Sequence, residues 1–198
     1  RLWSAFIDGL TYRRGYNGRV MVRQTVRGQR QRRWLEENEA DALLARAGEL
    51  VQTLDSVAWA APPSLQTELS ALIALARSFT PAAAARDAQR FNSIYTPLGI
   101  LPPDQYLALV LQLSEGCSFN TCTFCTFYRG RPFRIKPQDE FRAHVQAVLD
   151  YIGPALPMRK SIFLADANAL VAPHSMLIEA LALLRRMELP PWGVYAFL

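Results

Sequence analysis

Three cysteines, Cys117, Cys122 and Cys125, fall within nine residues of one another, in the stretch GCSFNTCTFCTFYRGRPFR at 116–134, and the chain has no others. Their spacing is C-x4-C-x2-C. A thiolate is both a nucleophile and a soft metal ligand. Three thiols this close, with none elsewhere, point to a metal site rather than a disulfide framework. A disulfide would leave one thiol over. A structural zinc site wants four ligands, usually as paired Cys-x2-Cys knuckles. The two histidines, His144 and His174, lie downstream on predicted helices, where His144 is expected at the surface or in packing and His174 at a helix start. A plant-type ferredoxin site shares the spacing but needs a fourth cysteine, and none follows Cys125. A [4Fe-4S] cluster held by three thiolates fits the count. It leaves one iron without a protein ligand, the open position that a catalytic metal site keeps.

The elements that position these cysteines change character along the chain. Residues 1–34 have a strand-and-turn pattern. Asn17-Gly18 predicts a type I′ hairpin turn, with Val20, Val22 and Val26 on a second arm that runs through Arg33 and Trp34. Residues 36–54 carry Leu43, Leu44, Ala47, Leu50, Val51 and Leu54 at helical spacing. Ala60-Ala61-Pro62-Pro63 breaks that helix. Ser64 is expected to cap a second one through Ser78, with Leu65, Leu69, Leu72, Ile73 and Ala76 inward. Pro81 starts a third, ending near Phe91. Residues 92–104 hold Pro97, Gly99, Pro102 and Pro103 and form a linker, which divides an accessory domain at 1–104 from a second domain at 105–198.

Beyond the linker, 106–114 (YLALVLQLS) is a nearly unbroken apolar run, as in a buried parallel strand. The cysteine stretch follows it at once. A helix is predicted over 137–152, a strand over 161–165, a helix over 173–187 with Leu177, Ile178, Leu181 and Leu184 inward, and a strand over 193–198. The alternation β-α-β-α-β implies a parallel sheet. Three strands cannot close a barrel, so the remaining strands are expected beyond residue 198.

Hydrophobic content of 51% and charged content of 20% exclude a disordered chain. No run approaches the ~18 apolar residues of a membrane span, and no signal peptide is visible. A cytoplasmic protein without membrane contact is therefore expected. Nine arginines lie in residues 1–34 against Asp8 alone, and an acidic segment follows at 35–56. This basic stretch is expected to be a solvated face, or else a contact for polyanions.

Strand, then GCSFNTCTFC, then a basic-aromatic segment, then βαβ, resembles the N-terminal half of the radical SAM (S-adenosylmethionine) superfamily. The usual motif there is C-x3-C-x2-C, with an aromatic before the third cysteine, here Phe124. This chain has one residue more between Cys117 and Cys122. The resemblance covers about residues 100–198. It implies that Cys117, Cys122 and Cys125 ligate a [4Fe-4S] cluster and that S-adenosylmethionine chelates the open iron. An electron from the cluster then cleaves the cofactor to a 5′-deoxyadenosyl radical, which takes hydrogen from a substrate. It also implies an electron donor such as a flavodoxin or ferredoxin. The Phe124 backbone falls where the family contacts adenine, with the ring packed under the loop. Asp166, at the end of the second strand, would meet the cofactor's amino group, or else serve as a cap or turn residue. Asn168 is a weaker candidate for the same place. Arg134 would face the cluster or an anionic group of cofactor or substrate; Arg129 and Arg131 would be solvated. Tyr195 is expected in the core.

The expected fold is α/β: a partial parallel (β/α) barrel core, preceded by a mostly helical N-terminal domain with a β-hairpin. The expected function is a radical SAM enzyme of unidentified substrate. The alternative is a nucleic-acid-binding module with a structural metal site, its support being the arginine-rich segment 13–33 beside Tyr12, Tyr16 and Trp34.

Overall fold

The computed structural model describes residues 3–56, 62–187, 189–190 and 192–197. The helix break expected at Ala60-Ala61 and the strand end expected at Leu198 lie outside these residues. The chain divides into two compact units, Arg1–Phe91 and Asn92–Leu198.

The first unit opens with a four-stranded antiparallel sheet in the order β1-β2-β3-β4: β1 Trp3–Ile7, β2 Leu10–Arg14, β3 Val20–Val26 and β4 Gln29–Trp34. Two tight turns set its register. Asp8-Gly9 joins β1 to β2, and Arg27-Gly28 joins β3 to β4. Both residues of each turn have positive φ (51° and 76°, 50° and 77°), the backbone of a type I′ turn. The Asn17-Gly18 turn differs from its expected type: only Gly18 takes positive φ (84°), and its N–H donates to the Gly15 carbonyl at 3.1 Å. Three helices follow: α1 Glu37–Gln52, α2 Pro63–Ser78 and α3 Pro81–Ile94. Val20, Val22, Leu43, Leu44 and Ala84 are buried. Arg14 is buried too and donates to the Ala84 carbonyl at 2.7 Å, with Asp87 at 3.5 Å. In α2 Ser64 lies inside the helix rather than at its cap, which is Pro62. The apolar face expected of α2 is not covered: no residue of the helix is buried, and Leu65 and Leu72 are about half exposed.

The second unit holds a three-stranded parallel sheet in the order β5-β8-β9: β5 Ala108–Gln112, β8 Ser161–Ala165 and β9 Val194–Ala196. A short antiparallel pair, β6 Ser114–Glu115 and β7 Arg134–Ile135, stands beside it. Helices α4 Gln138–Ile152 and α5 His174–Arg186 complete the alternation. Every residue of β8 is buried, which accounts for the unbroken apolar run of a central parallel strand. Phe141, Val145, Val148, Tyr151 and Ile152 of α4 are buried, as are Ala180, Leu183 and Leu184 of α5. Ile178 and Leu181, expected inward on α5, are 66% and 45% exposed. Tyr195, expected in the core, is 50% exposed.

The expected fold class needs correction in both halves. The N-terminal unit is not helical with one hairpin; it carries a four-stranded sheet. The parallel strands form a small sheet, and no barrel closes among the described residues. Strand–helix alternation is shared by open α/β sheets and barrels, so it could not choose between them. Among the described residues no helix is long and apolar enough to cross a membrane.

The outer edge of β5 is finished by side chains. The Tyr95 hydroxyl donates to the Val110 carbonyl at 2.7 Å, and His144 Nε2 accepts from the Gln112 N–H at 2.9 Å. The buried Gln112 side chain accepts from the Thr96 N–H at 3.0 Å and donates to the Thr96 carbonyl at 3.1 Å, as a neighbouring strand would. His144 is thus a buried acceptor, edge-on to Tyr95. Burial, with Lys136 nearby, lowers its pKa to about 4. The fold therefore favours the neutral imidazole. Its contribution is complete above the unfolded pKa near 6.5 and is lost as pH falls toward 4. Stability should drop by about 2 kcal/mol between pH 7 and pH 5 from this group alone. Asp166, whose pKa is raised by burial, acts with the opposite sign, so the comparison with His144→Gln isolates the imidazole. Urea unfolding at the two pH values should show a smaller drop in the variant; an equal drop would refute the assignment.

Candidate metal centre

The cysteines occupy the loop 116–133, which leaves β6 and returns to β7. The clasp at its base pairs Ser114 with Ile135 and Glu115 with Arg134, and the Lys136 N–H donates to the Leu113 carbonyl at 2.9 Å. Charge reinforces it. Arg134 Nε lies 2.7 Å from Glu115, and its two terminal nitrogens bind Glu140 at 2.8 and 2.6 Å. The buried Lys136 ammonium bonds Glu115 as well. Partial burial pushes the Glu115 carboxyl up, but the bonds from Arg134 and Lys136 outweigh this and hold it below the usual range.

A second set of bonds closes the loop from β8. The Asp166 carboxylate is 2% exposed. One oxygen accepts from the Tyr128 hydroxyl at 2.7 Å and the other from the Gly116 N–H at 3.4 Å. Its own N–H donates to Ser114 Oγ at 3.0 Å. Gly116 precedes the first cysteine and Tyr128 follows the last, so one carboxylate ties down both ends of the cysteine segment. Gly116 has φ 74°, and a Cβ there would come within 2.8 Å of the Pro132 carbonyl oxygen. Tyr128 is buried and lies against the backbone of Gly99, where a Cβ would meet its ring at 2.5 Å. Burial and the Asp166 carboxylate raise the pKa of its phenol.

Inside the loop, Asn120 (φ 42°) donates its amide to the Tyr128 carbonyl at 2.9 Å and to the Arg131 carbonyl at 3.4 Å. Ser118 is bound from the β8 side: Asn168 Nδ2 donates to its hydroxyl at 2.6 Å, and Asn168 Oδ1 accepts its N–H at 3.4 Å. Arg131 donates to the Pro97 carbonyl, and Arg129 to the Thr123 carbonyl at 3.3 Å.

Cys117, Cys122 and Cys125 are free thiols, each half-buried. The Asn120 N–H points to Cys117 Sγ at 3.5 Å. Among the described residues, no three His, Cys, Asp or Glu side chains gather closely enough to hold one ion. The donor set nevertheless fits a thiolate-bound metal cluster: three unpaired sulfurs, accessible, on one anchored loop. Neither histidine joins them, since His144 caps β5 and His174 begins α5.

The other sequence-predicted residues are placed as follows. The Phe124 ring is 88% exposed and does not pack under the loop; Phe119 and Phe127 of the same loop are exposed as well. Asp166 stands at the end of β8, with both oxygens engaged by the loop. Asn168 reaches the same loop two residues on. Arg134 is committed to Glu115 and Glu140. Sequence reasoning missed Tyr128, Asn120, Gly116 and Ser114. A hydroxyl whose partner lies 38 residues away leaves no local pattern; the sole cue was Gly116 directly before the first cysteine.

No family model matches the chain, and neither a curated protein nor a solved structure matches it.

Replacing Tyr128 with Phe removes the donor to a buried carboxylate. The expected cost is about 1–3 kcal/mol in urea unfolding. Amide exchange across residues 117–127 should quicken, while the amides of β8 keep their protection. Unchanged exchange in the loop would show that the Tyr128–Asp166 bond does not anchor it.

Proposed function

We propose that this chain belongs among the radical SAM enzymes, with Cys117, Cys122 and Cys125 holding a [4Fe-4S] cluster and S-adenosylmethionine as the second cofactor. The carrying observation is the set of three free thiols on one loop at the carboxyl end of a parallel strand, with its ends pinned by Asp166. When bound, such a cluster supplies one electron for reductive cleavage of S-adenosylmethionine to a 5′-deoxyadenosyl radical, the hydrogen-abstracting agent for a substrate.

The chain's own residues supply position and shielding. Asp166, Tyr128 and Asn120 fix the backbone from which the thiols project. Anchoring both loop ends leaves fewer conformations to be lost when three sulfurs converge on a metal. Phe119, Phe124 and Phe127, carried on the same loop, are exposed, apolar surface that a seated cofactor would cover. Glu115 and Glu140 neutralise Arg134, which gives it the part of a clasp residue. A reduced flavodoxin or ferredoxin is the class of electron donor this chemistry requires.

Anaerobic reconstitution with iron and sulfide should give brown protein holding about four iron atoms per chain. Cys117→Ala, Cys122→Ala and Cys125→Ala should each lose the colour. In the reduced protein, S-adenosylmethionine should change the electron paramagnetic resonance signal, because it binds the open iron. Stoichiometric zinc with no iron uptake would overturn the reading.

A further inference from the structure

The register of the N-terminal sheet sorts its residues into two unlike faces. One face carries Arg14, Val20 and Val22, all buried. The other is built from rows across the strands. The first row is Ser4, Arg13, Met21 and Trp34; the second is Phe6, Thr11, Arg23 and Arg32; Thr25 and Arg30 form the third. Arg13, Arg23, Arg30 and Arg32 are exposed, Phe6 is 75% exposed and Trp34 48%. Arg19 stacks on Trp34, its guanidinium carbon 4.2 Å from the ring centre.

Among the described strand residues, no carboxylate stands on this face. The one acid in residues 1–34, Asp8, sits in the first turn and pairs with Arg46 at 2.7 Å. Arg14 and Arg33 pair with Asp87 and Glu39. Among the described residues, no ion pair holds Arg13, Arg23, Arg30 or Arg32. Arg23 also stands directly opposite Arg32 in the antiparallel register. Like charges in that position oppose strand pairing, so folding alone does not explain them. A polyanion lying on the face would turn the repulsion into attraction.

We propose that this outer sheet face binds single-stranded nucleic acid. The arginines meet phosphates, and Trp34 and Phe6 offer rings on which unpaired bases stack. Exposed aromatics among arginines distinguish this surface from a merely basic one, because stacking requires bases that are not already paired. The inference is independent of the cysteine loop.

The test is fluorescence anisotropy of the full chain with labelled 12-nucleotide oligouridylate and oligodeoxythymidylate across a salt series. With four phosphate contacts, log affinity should fall against log salt with a slope of about −3. Arg23→Gln/Arg32→Gln should halve that slope and should not destabilise the sheet, since it relieves a like-charge pair. Trp34→Ala should weaken binding about tenfold or more. Arg185→Gln/Arg186→Gln, on exposed positions of α5, should change neither. Tighter binding of either oligonucleotide supports the proposal and assigns the sugar preference. Absence of binding at low salt would overturn it. So would equal affinity for a duplex of the same length, folded sheet variants that bind like the parent, or binding confined to phosphatidylserine vesicles.

Discussion

The second unit depends on a buried carboxylate. Asp166 lies at the end of the central strand β8, almost without solvent contact. A lone carboxylate in such a place is costly, and burial does raise its pKa. Hydrogen bonds from Tyr128 and Gly116 work against that shift. The partners lie on either side of the cysteines, so what satisfies the charge also closes the loop. Removing one donor therefore affects two things together: the stability of the carboxylate and the shape of the segment that carries the thiols.

The same logic governs the opposite edge of the sheet. An edge strand exposes unpaired N–H and C=O groups, and proteins cover them. Here β5 is covered by Tyr95, Thr96 and His144 rather than by a strand. The cover comes from the segment after α3 and from α4. A histidine used this way must stay neutral, because its Nε2 is the acceptor. That requirement ties the strand that leads into the cysteine loop to a group with a depressed pKa.

Strongly periodic or uniformly apolar segments were legible in the sequence. The core face of α4 and the buried run of β8 follow directly from residue spacing. The helix α2 shows the limit: its leucines recur at helical spacing, yet none is buried, since periodicity tells which face could be covered but not whether anything covers it. The four-stranded sheet is harder to see in the sequence, because two of its turns, Asp8-Gly9 and Arg27-Gly28, are dipeptides set in short strands, and Arg27 takes a positive φ that its residue type does not announce. At the site, the cysteines declared themselves by type and spacing. Asp166 was visible as a carboxylate at a strand end. Its partners were not, because Tyr128 and Gly116 reach it across 38 and 50 residues. Long-range hydrogen bonds leave no periodic trace, and the loop's mechanics rest on them.

Arginine use separates the two units in a way net charge conceals. In the second unit, Arg129 and Arg134 bind a carbonyl and a carboxylate of their own loop and clasp, and Arg131 ties the loop to the Pro97 carbonyl of the segment before β5. There the guanidinium serves as a planar, multidentate brace, a geometry a lysine ammonium does not provide. In the first unit, Arg14 does similar work from a buried position, bonded to a carbonyl of α3. The arginines of the outer sheet face make no such internal bonds among the described residues, and two of them oppose each other across strands. One residue type thus follows two regimes. Where the chain supplies acceptors, arginine fixes backbone; where it supplies none, the positive charge remains available to a partner that carries its own acceptors. A residue count merges the two, and only the register of the strands separates them.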